Sequence, residues 1–191
     1  MIHASSSPRT WFQESGPWRP EIDSQADVAI VYGVDPTFEE RVASFRTQGY
    51  RVAFMTGAAW GKYQDYVEGR FDGKSHDDEG QVRRDGAPMM HGPKAPYFVP
   101  SPPYRQYLKS LLRRAVDAGV ESVLVEEPEF WAFCGYSEAF RREWRAVYGT
   151  EWAPPHTSVD SRYRAAQLMH RLYVDTLAEI LADAIVYTLH G

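Results

Sequence analysis

The sequence has a single cysteine, Cys134, among its 191 residues. An intrachain disulfide is therefore impossible, and so is a structural zinc site built from several thiolates. No stretch approaches the roughly 18 consecutive apolar residues that span a membrane. Met1 to Thr10 contains no continuous apolar run, so no secretory leader is expected, and the chain reads as cytoplasmic and without membrane contact. Basic charge is also scarce: 21 Lys and Arg stand against 26 Asp and Glu, a formal net charge of −5. Proteins that bind nucleic acid normally carry a basic field, so nucleic acid is not an expected partner. Neither G-x-G-x-x-G nor G-x-x-x-x-G-K-S/T follows an apolar strand. The commonest reason for an open dinucleotide-binding sheet is thereby removed, and no cofactor is expected. A G-x-S-x-G nucleophile elbow is missing too, which disfavours a Ser-His-Asp hydrolase.

What is present suffices for a core, with 43% hydrophobic residues and 25% charged. Residues 1–26 read as an irregular arm punctuated by Pro8, Gly16, Pro17 and Pro20, with Trp11, Phe12 and Trp18 available to dock it. Residues 27–191 read as one domain of strand–helix units. Asp27–Gly33 and Tyr50–Thr56 are short apolar runs ending at glycine. Between them Asp35-Pro36-Thr37 opens a helix whose Phe38, Val42 and Phe45 share one face. A strand–helix–strand unit of this kind makes the two strands parallel. Residues 57–103 form a long loop rich in glycine, proline and aromatics, within which Ala95–Pro100 could be a short strand. A helix is predicted from Tyr104 to Gly119, then a buried strand at Val120–Val125. Further helices are expected from Ser137 to about Tyr148 and from about Arg162 to Ala182, with Ala184–Leu189 either extending the last helix or starting a strand. Alternating strands and helices mean an α/β protein with a parallel sheet. A partial TIM-type (β/α) barrel competes with an open doubly wound sheet; in both, function collects at the strands' C-terminal ends.

The sharpest chemical feature is Glu126-Glu127-Pro128-Glu129, directly after an apolar strand. Strand alternation sends Glu126 and Glu127 to opposite faces. A carboxyl half-buried by Phe130 and Trp131 would have its pKa raised, as a general acid requires. A solvated acidic turn is the competing reading. In the long loop Trp60, Tyr63 and Tyr66 recur every third residue, followed by His76, Asp77, Asp78 and Glu79. Flat aromatics with carboxylates suit a sugar, whose rings have apolar faces and hydroxyl edges; equally, the three aromatics could be one packed helical face. His76 lacks a second histidine at ligand spacing, so no metal site is assigned. Cys134 reads as buried and inert, and His156 and His170 as structural or solvent-facing.

Glu126-Glu127-Pro128 at a strand end resembles the Asn-Glu-Pro motif of retaining (β/α)8-barrel glycoside hydrolases. Gly135-Tyr136-Ser137 through Trp144 is similar to the region after the acid/base loop of β-galactosidase-like barrels. The resemblance is specific over residues 122–144 and implies that Glu127 is the acid/base residue at the end of the fourth barrel strand. Glu126 stands where the family has Asn, which leaves Glu126 as the alternate catalytic residue. It further implies a carbohydrate substrate; the residues' own chemistry gives Trp60, Tyr63, His76, Asp77, Glu129, Trp131 and Tyr136 as candidate binding residues. The family's nucleophilic Glu, near the seventh strand, has no counterpart here. Such barrels typically take about 250 residues. The chain therefore reads as the N-terminal part of a catalytic barrel, whose partner would be a missing C-terminal half or a second copy. Two other readings stand beside it: a non-catalytic glycan-binding or inactive scaffold, and a metal-dependent sugar isomerase or lyase using His76 and its neighbouring acids.

Overall fold

The structure is a computed structural model that describes Pro8 and residues 10–190. Met1–Ser7, Arg9 and Gly191 lie outside the described residues, and with them the start of the expected arm and most of the Met1–Thr10 stretch on which the leader expectation rests. In chain order the strands are β1 (Trp11–Glu14), β2 (Val28–Tyr32), β3 (Arg51–Gly57), β4 (Met90–Gly92), β5 (Ala95–Pro96) and β6 (Ser122–Glu126). The helices are α1 (Phe38–Thr47), α2 (Gln64–Val67), α3 (Pro102–Asp117), α4 (Glu138–Tyr148) and α5 (Val159–His190). The chain divides into two compact units, residues 1–56 with 111–125 and residues 57–110 with 126–191.

The first unit is built on a four-stranded sheet in the order β1-β2-β3-β6. Strand β1 pairs in parallel with β2, Trp11 opposite Val28, and β2 with β3, Val28 opposite Arg51. Strand β6 joins β3 in the same direction, since Glu121 N–H donates to Val52 O (2.8 Å) and Ala58 N–H to Glu126 O (2.7 Å). Each strand of this sheet lies beside its predecessor, with no point at which the order reverses. That is the winding of a TIM-type sheet, whereas a doubly wound sheet needs a reversal. The fold is therefore α/β of partial TIM type, and among the described residues the sheet does not close into a barrel.

Helix α1 crosses from β2 to β3. Its entry is set by the Asp35 carboxylate, which accepts from the N–H (2.8 Å) and the hydroxyl (2.7 Å) of Thr37. Glu39 and Glu40 in its first turn complement the helix dipole. Phe38, Val42 and Phe45 are wholly buried on its inner face, and Phe38 meets Phe54 of β3 edge-on at 5.3 Å. Each such side chain contributes about 1.5–3 kcal/mol by leaving water.

Two strand expectations are corrected here. Within the expected irregular arm, Trp11–Glu14 is a strand, held because Phe12 packs on Phe45 (5.7 Å) and Tyr50 (5.5 Å). Four residues with one inward aromatic are too few for a periodic pattern to register. Conversely, Ala95–Pro100 is no strand of the main sheet; Ala95–Pro96 forms a small antiparallel pair with β4, and Tyr97 and Phe98 make isolated bridges to Trp60 and Gly80. Strand β6 is thus the fourth strand of the sheet in chain order. Its residues are half-buried, where the sequence reads as a buried strand, and among the described residues it has one strand neighbour.

In the second unit the stretch expected as a long loop carries α2, a 3-10 turn at Asp77–Glu79 and the β4–β5 pair. Backbone bonds stitch it into an irregular antiparallel scaffold: Gln81 N–H to Tyr97 O (2.6 Å), Tyr97 N–H to Met89 O (2.9 Å), Met89 N–H to Gln81 O (2.8 Å) and Val99 N–H to Glu79 O (2.8 Å). Helix α4 starts where Ser137 Oγ accepts from Phe140 N–H (3.3 Å) and stops at Gly149, in the left-handed region at φ 63°. Helix α5 runs through Ala184–Leu189, so that segment extends the helix. Phe140 and Trp144 of α4 and Leu168, Met169, Leu172 and Tyr173 of α5 form one core with Tyr97 and Val99. Among the described residues no helix is long and apolar enough to cross a membrane.

Candidate functional site

Glu126 ends β6, and Glu127 leaves it in the left-handed region, at φ 50°. That conformation is uncommon for a residue with a Cβ and is typical of positions where geometry is held against a local cost. Glu129 N–H donates back to Glu127 O (2.8 Å) across Pro128, a tight three-residue turn that keeps both acids close in the chain. The Glu127 carboxylate is exposed, and its Oε2 accepts the indole Nε1–H of Trp60 at 2.5 Å.

Trp60 is placed by the chain leaving β3. Phe98 N–H donates to Ala59 O (2.6 Å), and Trp60 bridges to Tyr97 in antiparallel fashion. A Cβ at Gly57 would stand 2.5 Å from Trp60 O, so this bend requires glycine at that point. One face of the indole carries the His91 imidazole, stacked at 3.5 Å between centroids and within 4° of parallel. His91 Nδ1 lies 3.2 Å from the Tyr97 hydroxyl. Tyr97 is pushed up to about 12, by burial first and by the neighbouring Glu129 carboxylate second. The Trp131 ring meets Tyr97 edge-on at 5.7 Å. Trp60, His91, Tyr97, Glu127, Glu129 and Trp131 thus form one connected cluster.

A buried amide fixes the loop that carries the acids. Gln81 Nε2 donates to Glu129 O (2.8 Å), Tyr173 Oη (3.1 Å) and Phe98 O (3.2 Å), and its Oε1 accepts from Trp131 N–H (3.3 Å). The Tyr173 hydroxyl lies 3.0 Å from both Phe98 O and Glu129 O.

The remaining candidates fall elsewhere in the second unit. Tyr63 is a core residue: its hydroxyl donates to Gly57 O (3.2 Å) and its ring packs on Phe98, Tyr104 and Tyr107. Tyr66, the third aromatic of that series, is fully buried, so both tyrosines follow the packed-face reading. His76 is 5% exposed, stacked on Tyr66, and bonded to Asp72 (3.0 Å) and Glu79 (3.4 Å). The buried Glu79 carboxylate also accepts from Tyr66 and from Ser101 Oγ (2.5 Å), which makes this a polar cross-tie satisfied within the core. Asp77 is exposed beside it. Tyr136 meets Trp152 edge-on and bonds His156 Nδ1 at 3.0 Å. Phe130 stacks on Phe140, and with Trp131 turned to Tyr97 neither ring buries Glu127; the half-buried carboxyl expected from the sequence is not formed. Cys134 is buried, and burial pushes its thiol up to about 12. Among the described residues no group of three His, Cys, Asp or Glu side chains comes together to hold a metal ion.

His91, Tyr97, Gln81 and Tyr173 had no motif to mark them. For Tyr97 the one available cue was an aromatic in a proline-rich stretch; for Gln81 there was none.

A parallel α/β sheet with acids following its fourth strand is the class that fold and cluster define. No family model matches the sequence, and no curated protein is detectably similar to it. Among solved structures the chain is similar to the glycoside hydrolase domain of PelA from Pseudomonas aeruginosa, determined as a glutamate-to-alanine variant. The TM-score is 0.54 and the identity 10%, over 93% of this chain and 56% of that one. This chain therefore spans little more than half the length of that relative, and at such identity the likeness is one of fold. The fold is glycoside-hydrolase-like.

Proposed function

We propose that the chain carries the acid/base end of a carbohydrate-active site of glycoside-hydrolase type, with Glu127 as proton donor. The observation that carries this reading is Glu127 itself. It follows the fourth parallel strand in a left-handed conformation, its carboxylate gripped by Trp60 beside Glu129, Tyr97 and His91. The fold shared with a glycoside hydrolase domain supports it, as does the likeness of Glu126-Glu127-Pro128 to the Asn-Glu-Pro motif.

With Oε2 engaged by the indole, Oε1 is the oxygen available to deliver a proton to a glycosidic oxygen. A sugar lying against the carboxyl would desolvate it and favour the protonated form. The proton passes to the leaving oxygen as the C–O bond breaks, leaving Glu127 ionised. Glu129 is then the second carboxylate, stabilising the developing positive charge on the sugar. Its charge lies near enough to Tyr97 to raise that hydroxyl's pKa, and the same charge faces the sugar as the positive charge forms. In this reading Trp60 positions the acid, and the half-exposed Trp131 offers the apolar surface for a sugar ring.

The test is Glu127→Gln against a panel of aryl glycosides and oligosaccharides, with reducing sugar measured over long incubation. General acid catalysis is worth about 100- to 10,000-fold. A drop of that size with unchanged thermal stability is expected, and unchanged turnover would sink the assignment. Binding to oligosaccharides with no release of reducing sugar by the wild type would favour a non-catalytic glycan-binding role on the same residues.

A further inference from the structure

A second binding feature adjoins the cluster. An open cleft of about 640 Å³ is lined by Arg83, Arg84, Asp85 and Phe133. Cavities of about 300–1,000 Å³ hold small ligands, so one or two sugar units fit this volume. We propose that it is a subsite for an acidic sugar, a uronate unit of the glycan engaged at Glu127. The proposal rests on the carbohydrate reading of that site.

Three observations support it. First, the turn that presents the arginines is rigid. Gly86 N–H donates to Arg83 O (3.0 Å), Arg83 N–H to Ala87 O (2.9 Å), and Ala87 N–H to Asp85 Oδ1 (3.0 Å). Arg83 also bridges to Cys134 in the segment that bears Phe133. Second, the two guanidinium groups differ. Arg83 grips Asp85 with both Nη2 (2.7 Å) and Nε (3.3 Å), so its charge is answered locally. Arg84, exposed beside it, makes no ion pair or hydrogen bond with a described residue. Its planar fork matches a carboxylate in two-point fashion, which a hydroxyl cannot reproduce. Third, Phe133 is 49% exposed at the cleft, and its ring lies 5.9 Å from Trp131. Trp131 meets Tyr97, which meets the His91 stacked on Trp60, whose indole donates to Glu127. A path of rings therefore leads from the acids to the arginine turn. A sugar's C–H face suits the exposed Phe133, while a carboxylate on its rim reaches Arg84. Asp85, its charge answered by Arg83, repels an anionic sugar less than it would if unpaired.

The experiment compares an oligogalacturonide with its methyl ester, which keeps the ring and removes the charge. Binding to the whole chain is measured by calorimetry at low salt. A charge-assisted hydrogen bond predicts that the acid binds about tenfold more tightly than the ester. Arg84→Met should abolish that preference, and Phe133→Ala should weaken acid and ester alike; both residues are exposed, and circular dichroism checks that each variant is folded. Equal binding of acid and ester, or a preference that survives Arg84→Met, overturns the subsite. Should the ester bind and lose affinity in Trp131→Ala while no acid preference exists, the subsite falls and the carbohydrate reading stands. An acid preference lost in Arg84→Met, alongside hydrolysis untouched by Glu127→Gln, keeps the subsite and removes Glu127 as the acid. Absence of binding to either probe counts against both.

Discussion

Gln81 is the residue on which the placement of the acidic loop depends, and its replacement gives the most quantitative test. Its side chain is 1% exposed and bonds Phe98 O, Glu129 O, Tyr173 Oη and Trp131 N–H. Gln81→Leu keeps the volume roughly constant and removes all four partners. Glu129 O and Phe98 O retain the Tyr173 hydroxyl, but one hydrogen then serves two acceptors. Trp131 N–H loses the acceptor it has in Gln81 Oε1. One orphaned donor and one under-satisfied acceptor, at about 1–3 kcal/mol each for buried groups, put the cost at about 3 kcal/mol. For a chain of this length that is a fall in Tm of about 9 °C. Tyr173→Phe removes a single hydroxyl and should cost about 1–2 kcal/mol. Because the two side chains share acceptors, each single variant leaves Glu129 O and Phe98 O one donor and the double leaves them none; it should cost more than the sum, with a coupling of about 1 kcal/mol in a urea-denaturation cycle. A loss below about 0.5 kcal/mol for Gln81→Leu, or strict additivity, would refute the network.

Other consequences are narrower. Gly57→Ala forces a Cβ to within 2.5 Å of Trp60 O, so the bend must open, at a cost of about 1–3 kcal/mol. The emission of Trp60 should change with it, and an unaltered spectrum and Tm would show that the approach is looser than described. Glu179 is held below the ordinary carboxylate range first by the hydrogen bond from Lys109 (2.5 Å), with Arg105 assisting. A depressed folded pKa adds stability above the unfolded value of about 4.5 that disappears as pH falls through the folded one. The stability gap between wild type and Glu179→Gln should therefore close as pH drops from about 6 to about 3; a gap independent of pH would show that the ion pair contributes nothing. Cys134, with its thiol pushed up to about 12, should resist Ellman's reagent in the native state and react after unfolding in urea. Rapid native reaction would contradict its burial.

How far the site was legible follows from the range of each signal. The Glu126-Glu127-Pro128-Glu129 run is local, and its place after an apolar strand could be read without any tertiary information. That the strand is the fourth of the sheet could not, because Trp11–Glu14 becomes a strand only when Phe12 finds Phe45 and Tyr50. Spacing by three marked Trp60, Tyr63 and Tyr66 as a group, yet they divide: Tyr63 and Tyr66 enter the core, while Trp60 turns to Glu127. His76 and Asp77 looked like sugar ligands because polar residues in a loop carry no sign of burial. His76 is enclosed by Tyr66, Asp72 and Glu79 instead.

The amino-acid sequence by itself determined the α/β class, the parallel crossover of α1, the cap at Ser137 and the acids at a strand end. Each rests on periodicity, capping or turn chemistry acting within a dozen or so residues. Only the tertiary structure decided that Glu127 sits at a left-handed turn bonded to a tryptophan 67 residues away. It also decided that Gln81, unremarkable in its own neighbourhood, braces the loop through a tyrosine 92 residues further on. Contacts at that separation depend on which surfaces the packed core brings together, and local pattern has no means to encode them.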